Sequence, residues 1–260
     1  MGKLFKIEMK KLSKSTAMRV MLIVAASISL LNVIIYGFAD NMASELLAIL
    51  GKADGYHIMK SLICDDSDIM LMVVILMAVL VGGDFSARTL QTQIAAGFGR
   101  FEIIISRFLS TMVAYVILQA IYVGITGIGS TILFGFGSAV SGEMIGELLL
   151  DIVLSLLLAM TMLSIYMLFA FLLKSTGATI GVCLPTMLMG VSIINFISGV
   201  SRVMRDVMSF TPFGQQMALS DGGLIYTQEL DPVKFILVCV VWLAGFISLT
   251  FLSFRNAELK

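Results

Sequence analysis

Side chains that can perform catalysis or bind a metal are few in this sequence, and they lie far apart. There is one histidine, His57, and there are three widely separated cysteines, Cys64, Cys183 and Cys239. A zinc or haem site needs more ligands than these, and a lone histidine in a loop supports no Ser-His-Asp or Cys-His arrangement. The phosphate-binding pattern G-x-x-x-x-G-K-[ST] is absent. We therefore expect no metal site, no cofactor and no enzymatic activity in this chain.

Three neighbouring acids, Asp65, Asp66 and Asp68, form the densest group of potential metal ligands. The ligand spacing of a calcium-binding loop is missing there. We interpret the three aspartates as the solvated start of a helix, because a long apolar stretch follows them.

The composition indicates a membrane protein. Of 260 residues, 59% are hydrophobic and 13% are charged, whereas soluble domains have about 45–50% apolar and about 25% charged residues. The apolar residues form six runs, five of which have roughly 20 residues or more, the length of a membrane-spanning helix, while the second is shorter. We predict an all-α polytopic membrane protein, with residues 1–260 in a single transmembrane domain. The predicted spans are residues 18–38, 69–83, 101–134, 145–173, 179–200 and 233–254.

Residues 1–17 precede the first predicted span and are rich in lysine. On a helix, the apolar and basic side chains occupy opposite faces, as in helices that lie in a membrane surface. The expected membrane-surface residues are Phe5, Met9 and Leu12 on one face and Lys3, Lys6 and Lys10 on the other. The alternative is a basic flank that only orients the first span. A signal peptide is disfavoured because the apolar run 18–38 exceeds a usual signal core.

The zero net charge hides an uneven distribution. Six spans place both termini on one side, and that side carries 12 of the 17 basic residues but only 4 of the 17 acidic ones. Basic residues mark the cytoplasmic side of a membrane protein. We therefore predict that both termini and the segment 84–100 are cytoplasmic, and that the loops 39–68, 135–144 and 201–231 lie outside.

The stretch from Asp84 to Arg107, DFSARTLQTQIAAGFGRFEIIISR, is the one sizeable cytoplasmic loop in this topology. Asp84 or Ser86 can cap a short helix, and Gly97 can end it. Such a helix, lying across the ends of spans two and three, would present a polar surface to a cytoplasmic partner. The alternative is an ordinary amphipathic loop that rests on the lipid headgroups.

Two features are predicted on the outer side. Glu147 and Asp151 share one helix face in the first turns of span four. They either stabilise a helix N-terminus or form an outer vestibule that attracts cationic cargo. Residues 201–231 have a high apolar content and the turn Thr211-Pro212-Phe213-Gly214, which indicates a half-embedded or re-entrant element.

This layout resembles the membrane subunits of ABC exporters of the ABC-2 type. Those subunits have a basic N-terminal elbow helix, six spans, a cytoplasmic coupling helix between spans two and three, and a membrane-dipping hairpin before the last span. The matching stretches are Phe5-Ile7-Glu8-Lys10-Lys11, Asp84-Phe85-Ser86-Ala87-Arg88-Thr89-Leu90, Gly97-Phe98-Gly99-Arg100, Ile103-Ile104-Ile105-Ser106-Arg107 and Thr211-Pro212-Phe213-Gly214. Asp84 stands where Glu is common, and Gly99 and Arg107 stand where Ser and Lys are common.

The resemblance implies a permease that docks separate ATPases through its coupling helix. The implied docking residues are Arg88, Thr89, Leu90, Gln91, Thr92, Gln93, Ile94 and Arg100, with Gly97 and Gly99 as the hinge into span three. A second copy of the chain and two cytoplasmic ATP-binding subunits would complete the transporter, with ATP and Mg bound in those subunits. No nucleic acid is implied.

Among such permeases, the compact form resembles bacterial peptide exporters, namely phenol-soluble-modulin exporters and lantibiotic self-protection systems. The expected cargo is then an amphipathic peptide, and the expected location is the bacterial plasma membrane. Export of lipids or small drugs is an alternative with the same mechanism. An ATP-independent carrier or a non-transporting scaffold is an alternative of another class. The carrier is disfavoured because no charged residue lies at the middle of a predicted span.

Overall fold

A computed structural model describes residues 2–42, 54–87, 89–137, 141–220 and 231–256. Helices make up 91% of these residues, and no strand occurs within these ranges. In chain order the helices are α1 (Gly2–Lys14), α2 (Thr16–Met42), α3 (Gly55–Cys64), α4 (Ser67–Ser86), α5 (Thr89–Ala95), α6 (Arg100–Phe134), α7 (Gly142–Leu173), α8 (Thr176–Val200), α9 (Arg202–Met208), α10 (Pro212–Leu219) and α11 (Pro232–Asn256).

Six helical segments are long and apolar enough to cross a membrane, with mean hydropathies from 1.9 to 2.6. They are Thr16–Phe38, Gly55–Ser86, Arg100–Phe134, Gly142–Leu173, Thr176–Val200 and Pro232–Arg255. The protein is therefore an all-α multi-pass membrane protein, and the predicted fold class is confirmed. The cytoplasmic location of the termini remains a prediction.

The second membrane segment is longer than predicted and consists of two helices. The sequence predicted a span over 69–83 after an outer loop, whereas the structure places two consecutive helices, α3 and α4, in this part of the chain. Helix α3 ends where the backbone N–H of Asp65 donates to the carbonyl oxygen of Ser61 at 2.8 Å. Two aspartates at the junction explain the break, because aspartate side chains favour helix caps over helix interiors.

The two ends of the bundle differ in what covers them. Helices α1 and α5 and the C-terminal end of α11 lie at one end, which we call the elbow end. Helices α3, α9 and α10 lie at the other, which we call the opposite end. Helix α6, with 35 residues, is about 52 Å long and exceeds the roughly 30 Å hydrocarbon core of a bilayer.

Helix α4 lies at the centre and connects the two ends. The membrane segment that contains it is 61% buried, against 11% for α2, 17% for α8 and 22% for α11. It packs against α2, α6, α7 and α8, and side chains such as Val73, Val74 and Met77 are completely buried. A displacement of α4 at one end must therefore disturb the packing of most of the bundle.

Two glycines allow helices to approach closely. A Cβ atom at Gly82 of α4 would lie 2.6 Å from the backbone nitrogen of Thr176, which begins α8. A Cβ atom at Gly127 of α6 would lie 2.6 Å from the Cγ atom of Met59 in α3. The first contact is with backbone and the second with a flexible side chain, so the two positions tolerate substitution differently.

The hairpin before the last span has one buried and one exposed helix. Thr211 caps α10 by accepting from the backbone N–H of Gly214 at 3.1 Å, and Pro212 occupies the first turn. Helix α10 is largely buried against α7 and α8, whereas α9 contains no buried residue. Within the described part of the predicted half-embedded element, α10 is therefore buried in the bundle and α9 is not. Residues 221–230 of that prediction lie outside the described part of the chain.

Candidate functional site

A buried group of charged side chains joins three helices at the elbow end. Glu8 and Lys11 come from α1, Asp84 from α4 and Arg107 from α6; we call these four residues the charge cluster. The Arg107 guanidinium pairs with Glu8 at 3.2 Å and also with Asp84, and Lys11 pairs with Asp84. Glu8, Asp84 and Arg107 are only 5%, 3% and 2% exposed. The cluster therefore fixes the elbow helix to two membrane segments.

The charges of the cluster balance, which makes their burial tolerable. A buried ion costs several kcal/mol unless it is paired and its remaining hydrogen-bonding groups are satisfied. Here two carboxylates face two cations, and Arg107 contacts both acids. Lys11 lies at the edge of the cluster, where burial and the nearby Arg107 lower its pKa to about 8, while Glu8 opposes the change.

Helix α5 is attached to the same cluster through Gln93. The Gln93 side chain donates from Nε2 to Glu8 Oε1 at 3.2 Å and accepts at Oε1 from Arg107 Nη2 at 3.4 Å. Leu90, one turn earlier on the same helix face, is 1% exposed, and Ile94 packs against the core. The inward face of α5 is therefore attached to the cluster and to the bundle core.

The cluster is too tightly packed to bind a ligand. The cavity beside it, next to Lys11 and Ser110, measures about 10 Å³, which is about the space one water needs. The arrangement can hold α1, α4 and α6 in fixed relative positions and can transmit a displacement of one helix to the others. It offers no room for a substrate.

The structure divides the predicted docking residues between two faces of α5. Leu90 is buried, and Gln93 and Ile94 are half-buried with contacts to the bundle. Thr92 is exposed and Thr89 and Gln91 are half-exposed. Ala95 and Ala96 extend the exposed side. Arg88 lies outside the described residues.

Arg100 connects two spans. Its Nη1 donates to the carbonyl oxygens of Phe254 and Arg255, each at 2.6 Å, and the guanidinium lies over the Phe254 ring at 5.5 Å. The start of α6 is therefore bound to the last turn of α11. A cation near helix C-terminal carbonyls is stabilised by the helix dipole.

The two predicted hinge glycines have different backbone conformations. Gly97 has a φ of 88°, a left-handed conformation that favours glycine, and its N–H donates to the carbonyl oxygen of Ile94 at 2.9 Å. Gly99 has a φ of −67° and precedes α6 as its N-cap. Only Gly97 therefore has a conformational need for glycine.

The elbow helix forms where the lysine-rich pattern predicted it. The lysines Lys3, Lys6 and Lys10 are exposed, Phe5 and Met9 are half-buried, and Leu12 is buried. The buried stripe consists of Leu4, Glu8 and Leu12, at the four-residue spacing of one helix face. The face that contacts the protein thus includes an acid.

At the opposite end, the predicted vestibule acids already have a cationic partner in the same chain. Lys60 of α3 lies 3.5 Å from Glu147 and 3.6 Å from Asp151. Tyr56 also donates to Glu147 at 3.3 Å. The two acids therefore help to hold α3 against α7.

The aspartates between α3 and α4 are held by phenol groups of α6. Tyr115 donates to Asp66 at 2.6 Å, and Tyr122 donates to Asp68 at 2.8 Å. Asp65 and Asp68 are exposed, as expected for a solvated helix start, but Asp66 is only 4% exposed. The solvated interpretation of Asp66 was wrong, because the long α6 brings Tyr115 to it. No group of three or more potential metal ligands occurs among the described residues.

Sequence reasoning missed the charge cluster as a unit. Glu8 and Lys11 were noted only as part of the elbow, and Asp84 and Arg107 only as the bounds of a polar segment. One signal was available, since Asp84 and Arg107 both adjoin apolar runs, where charges are costly unless they are paired. The ion pairs of the cluster join residues that are 23 to 99 positions apart in sequence, and such pairing has no local signature.

The fold and the site together define a multi-pass helical membrane protein with a short surface helix bound to its membrane segments by buried ion pairs. The chain belongs to the family described as Protein of unknown function (DUF2705), whose sequence model matches residues 37–259. No curated protein matches the chain.

Proposed function

We propose that the protein is the membrane-spanning permease subunit of an ATP-driven ABC exporter, energised by a separate ATPase. One observation carries the proposal. Helix α5 is fixed to the charge cluster by its inward face, while Thr92, Ala95 and Ala96 are exposed on its outward side. A surface helix of this kind suits a partner that acts on the membrane segments from outside the bilayer.

The charge cluster explains how a movement of α5 would be transmitted. Gln93 contacts both Glu8 and Arg107, so a force on α5 acts on α1 and α6 at once. Arg107 contacts Asp84, which places α4 in the same unit. Because α4 is central and closely packed, its displacement would reach the opposite end of the bundle.

The partners follow from the resemblance to ABC-2 exporters and from the sequence. The chain has no phosphate-binding loop, so ATP and Mg would be bound by two cytoplasmic ATPase subunits. A second copy of the chain would complete the transport path as a homodimer. The excess of basic residues on the side of the termini supports their placement in the cytoplasm of a bacterial cell.

The proposed cargo is an amphipathic peptide that the complex moves out of the cell. This choice rests on the similarity in layout to bacterial peptide exporters. The 19 methionines of the chain are compatible with a surface that accommodates varied apolar side chains. Lipids and small drugs are the competing cargoes of the same mechanism.

The docking step is tested by placing charges on the exposed side of α5. We expect the double substitution Thr92→Glu with Ala95→Glu to abolish co-purification with the ATPase, because two carboxylates disrupt a complementary surface. The partner to use is a protein with a phosphate-binding loop encoded beside this reading frame. Leu90→Asp is unsuitable, since Leu90 is buried and its substitution would disturb folding.

The matched control is Ser13→Glu, which adds a carboxylate to an exposed position of the elbow helix. This variant should retain the ATPase, and all variants should remain monodisperse. Retention of the ATPase by the double variant would refute docking through α5. With the wild-type complex, ATP hydrolysis that rises with an amphipathic peptide but not with a lipid or drug would support the proposed cargo.

A further inference from the structure

A groove on the membrane-facing surface lies between α11 and the turn after α9. Its volume is about 570 Å³, and Phe210, Lys234, Leu237, Val241 and Trp242 line it. This volume falls within the roughly 300–1,000 Å³ typical of small-ligand sites. Leu237 and Val241 are 61% and 68% exposed, so the groove opens sideways from the bundle, where acyl chains surround a membrane protein.

The two walls of the groove are joined by specific hydrogen bonds. The Trp242 indole Nε1 donates to the carbonyl oxygen of Phe210 at 2.7 Å, and the Lys234 ammonium donates to the Ser209 hydroxyl at 2.7 Å. The ammonium also lies 4.6 Å from the centre of the Phe210 ring. These contacts fix the turn against α11 at two points, so the shape of the groove is determined by the fold.

Lys234 supplies a positive charge that the described part of the chain does not neutralise. Among the described residues, no carboxylate lies within ion-pair distance of its half-buried ammonium. The nearby Asp231 carboxylate instead caps α11, accepting from the backbone N–H groups of Val233 at 3.0 Å and Lys234 at 3.4 Å. A partly desolvated ammonium with spare N–H donors favours an anionic ligand.

The position of Lys234 along α11 matches the headgroup level of a lipid. Lys234 is the third residue of its membrane segment, where lysine lies at headgroup level. The backbone of Trp242 is eight residues further on, about 12 Å deeper along the helix, although its indole reaches back to Phe210. A headgroup at Lys234 would therefore place an acyl chain along Leu237, Val241 and Trp242.

We infer that this groove binds an anionic phospholipid of the surrounding bilayer, with its phosphate on the Lys234 ammonium and an acyl chain against Leu237, Val241 and Trp242. The positive charge of Lys234 favours an anionic headgroup, and the apolar wall favours a ligand with an acyl chain. This site is independent of what the protein transports. The competing occupants are an acidic amphipathic peptide and residues 221–230 of the same chain.

Trp242 itself provides the measurement, because it is the only tryptophan of the sequence. The full chain is reconstituted into vesicles containing either brominated phosphatidylglycerol with unlabelled phosphatidylcholine, or the reverse combination. Bromine quenches indole fluorescence on contact, so quenching reports which lipid occupies the groove. We expect brominated phosphatidylglycerol to reach half-maximal quenching at a mole fraction about fivefold lower than brominated phosphatidylcholine does.

Substitutions assign that preference to Lys234. Lys234→Gln should remove the preference for phosphatidylglycerol, and Lys234→Arg should retain it because the charge is kept. Lys6→Gln, which removes an exposed lysine of the elbow helix, should leave the preference unchanged.

Equal quenching by the two brominated lipids in the wild-type protein would overturn the proposal, as would a preference that survives Lys234→Gln. Absence of quenching by either lipid would also overturn it, and would indicate that another part of the chain fills the groove. Quenching by phosphatidylglycerol that an acidic amphipathic peptide fully reverses at low peptide concentration would assign the groove to the peptide instead.

Discussion

The elbow end and the opposite end bury carboxylates by different means. At the elbow end, Glu8 and Asp84 face Lys11 and Arg107, so opposite charges compensate one another. At the opposite end, buried Asp66 accepts a hydrogen bond from Tyr115 at 2.6 Å, and no cation lies within ion-pair distance of it among the described residues. For its buried carboxylates, the elbow end uses ion pairs that join three helices, and the opposite end uses a hydroxyl dipole that joins two.

This difference indicates different mechanical roles. Removing one member of a buried ion pair leaves an uncompensated charge in an apolar surrounding, which is very costly. Removing a hydroxyl leaves a carboxylate short of one hydrogen bond, which costs less. The elbow end should therefore behave as one rigid unit, whereas the opposite end can rearrange one contact at a time.

The largest expected effect follows from removing the shared cation. Arg107→Met leaves Glu8 and Asp84 with only Lys11, and we expect the free energy of unfolding to fall by about 3–5 kcal/mol. Denaturant titration of the purified protein in detergent micelles measures this change.

The same substitution at the exposed Arg19 is the control, and Arg19→Met should change the stability by less than about 0.5 kcal/mol. Equal stability of the two variants would show that the charge cluster contributes nothing beyond an ordinary surface pair.

A smaller effect is expected from the hydroxyls of the opposite end. Tyr115→Phe removes the donor to the buried Asp66, and we expect a loss of about 1.5–3 kcal/mol. Tyr122→Phe is the matched comparison, because its acceptor Asp68 is exposed and water can replace the hydroxyl. A Tyr122→Phe loss as large as that of Tyr115→Phe would mean that burial of the acceptor does not govern the contribution of these bonds.

The smallest effect compares one added methyl group at each end. At Gly82 the new Cβ meets the backbone of Thr176, so Gly82→Ala should cost about 1–3 kcal/mol by overpacking. At Gly127 the new Cβ meets the flexible side chain of Met59, which can change rotamer.

We therefore expect Gly127→Ala to cost less than Gly82→Ala in the same unfolding experiment. The reverse order would contradict the view that the elbow end is the more rigid of the two.

Much of the fold could be predicted because membrane spans have a strong local signal. Apolar runs predicted six segments, of which the second was placed at 69–83 and extends over Gly55–Ser86 in the structure. The lysine pattern located the elbow helix. The helix start at the three aspartates was predicted, and α4 begins at Ser67. The inclusion of Gly55–Cys64 in the membrane segment was not predicted, because this stretch has the composition of either an amphipathic loop helix or a membrane segment. In the structure this helix packs against α6 and α7.

The candidate site was predicted in position but not in arrangement. The segment after Asp84 was expected to form a short helix, and α5 is that helix. Its inward face was not predicted, because seven residues of mixed composition define no clear amphipathic stripe. Gln93 was therefore assigned to a partner surface, whereas it contacts Glu8, which is 85 positions away in sequence.

The sequence by itself determined the class of protein, the six membrane segments and the location of the polar segment between the second and third. These properties depend on composition and local periodicity, which act over a few helical turns. Only the tertiary structure decided that Arg107 pairs with Glu8 and Asp84, that Tyr115 satisfies Asp66, and that α5 turns Leu90 and Gln93 inward. Those contacts join residues that are distant in sequence, and the need to satisfy buried charges selects them only once the helices are packed.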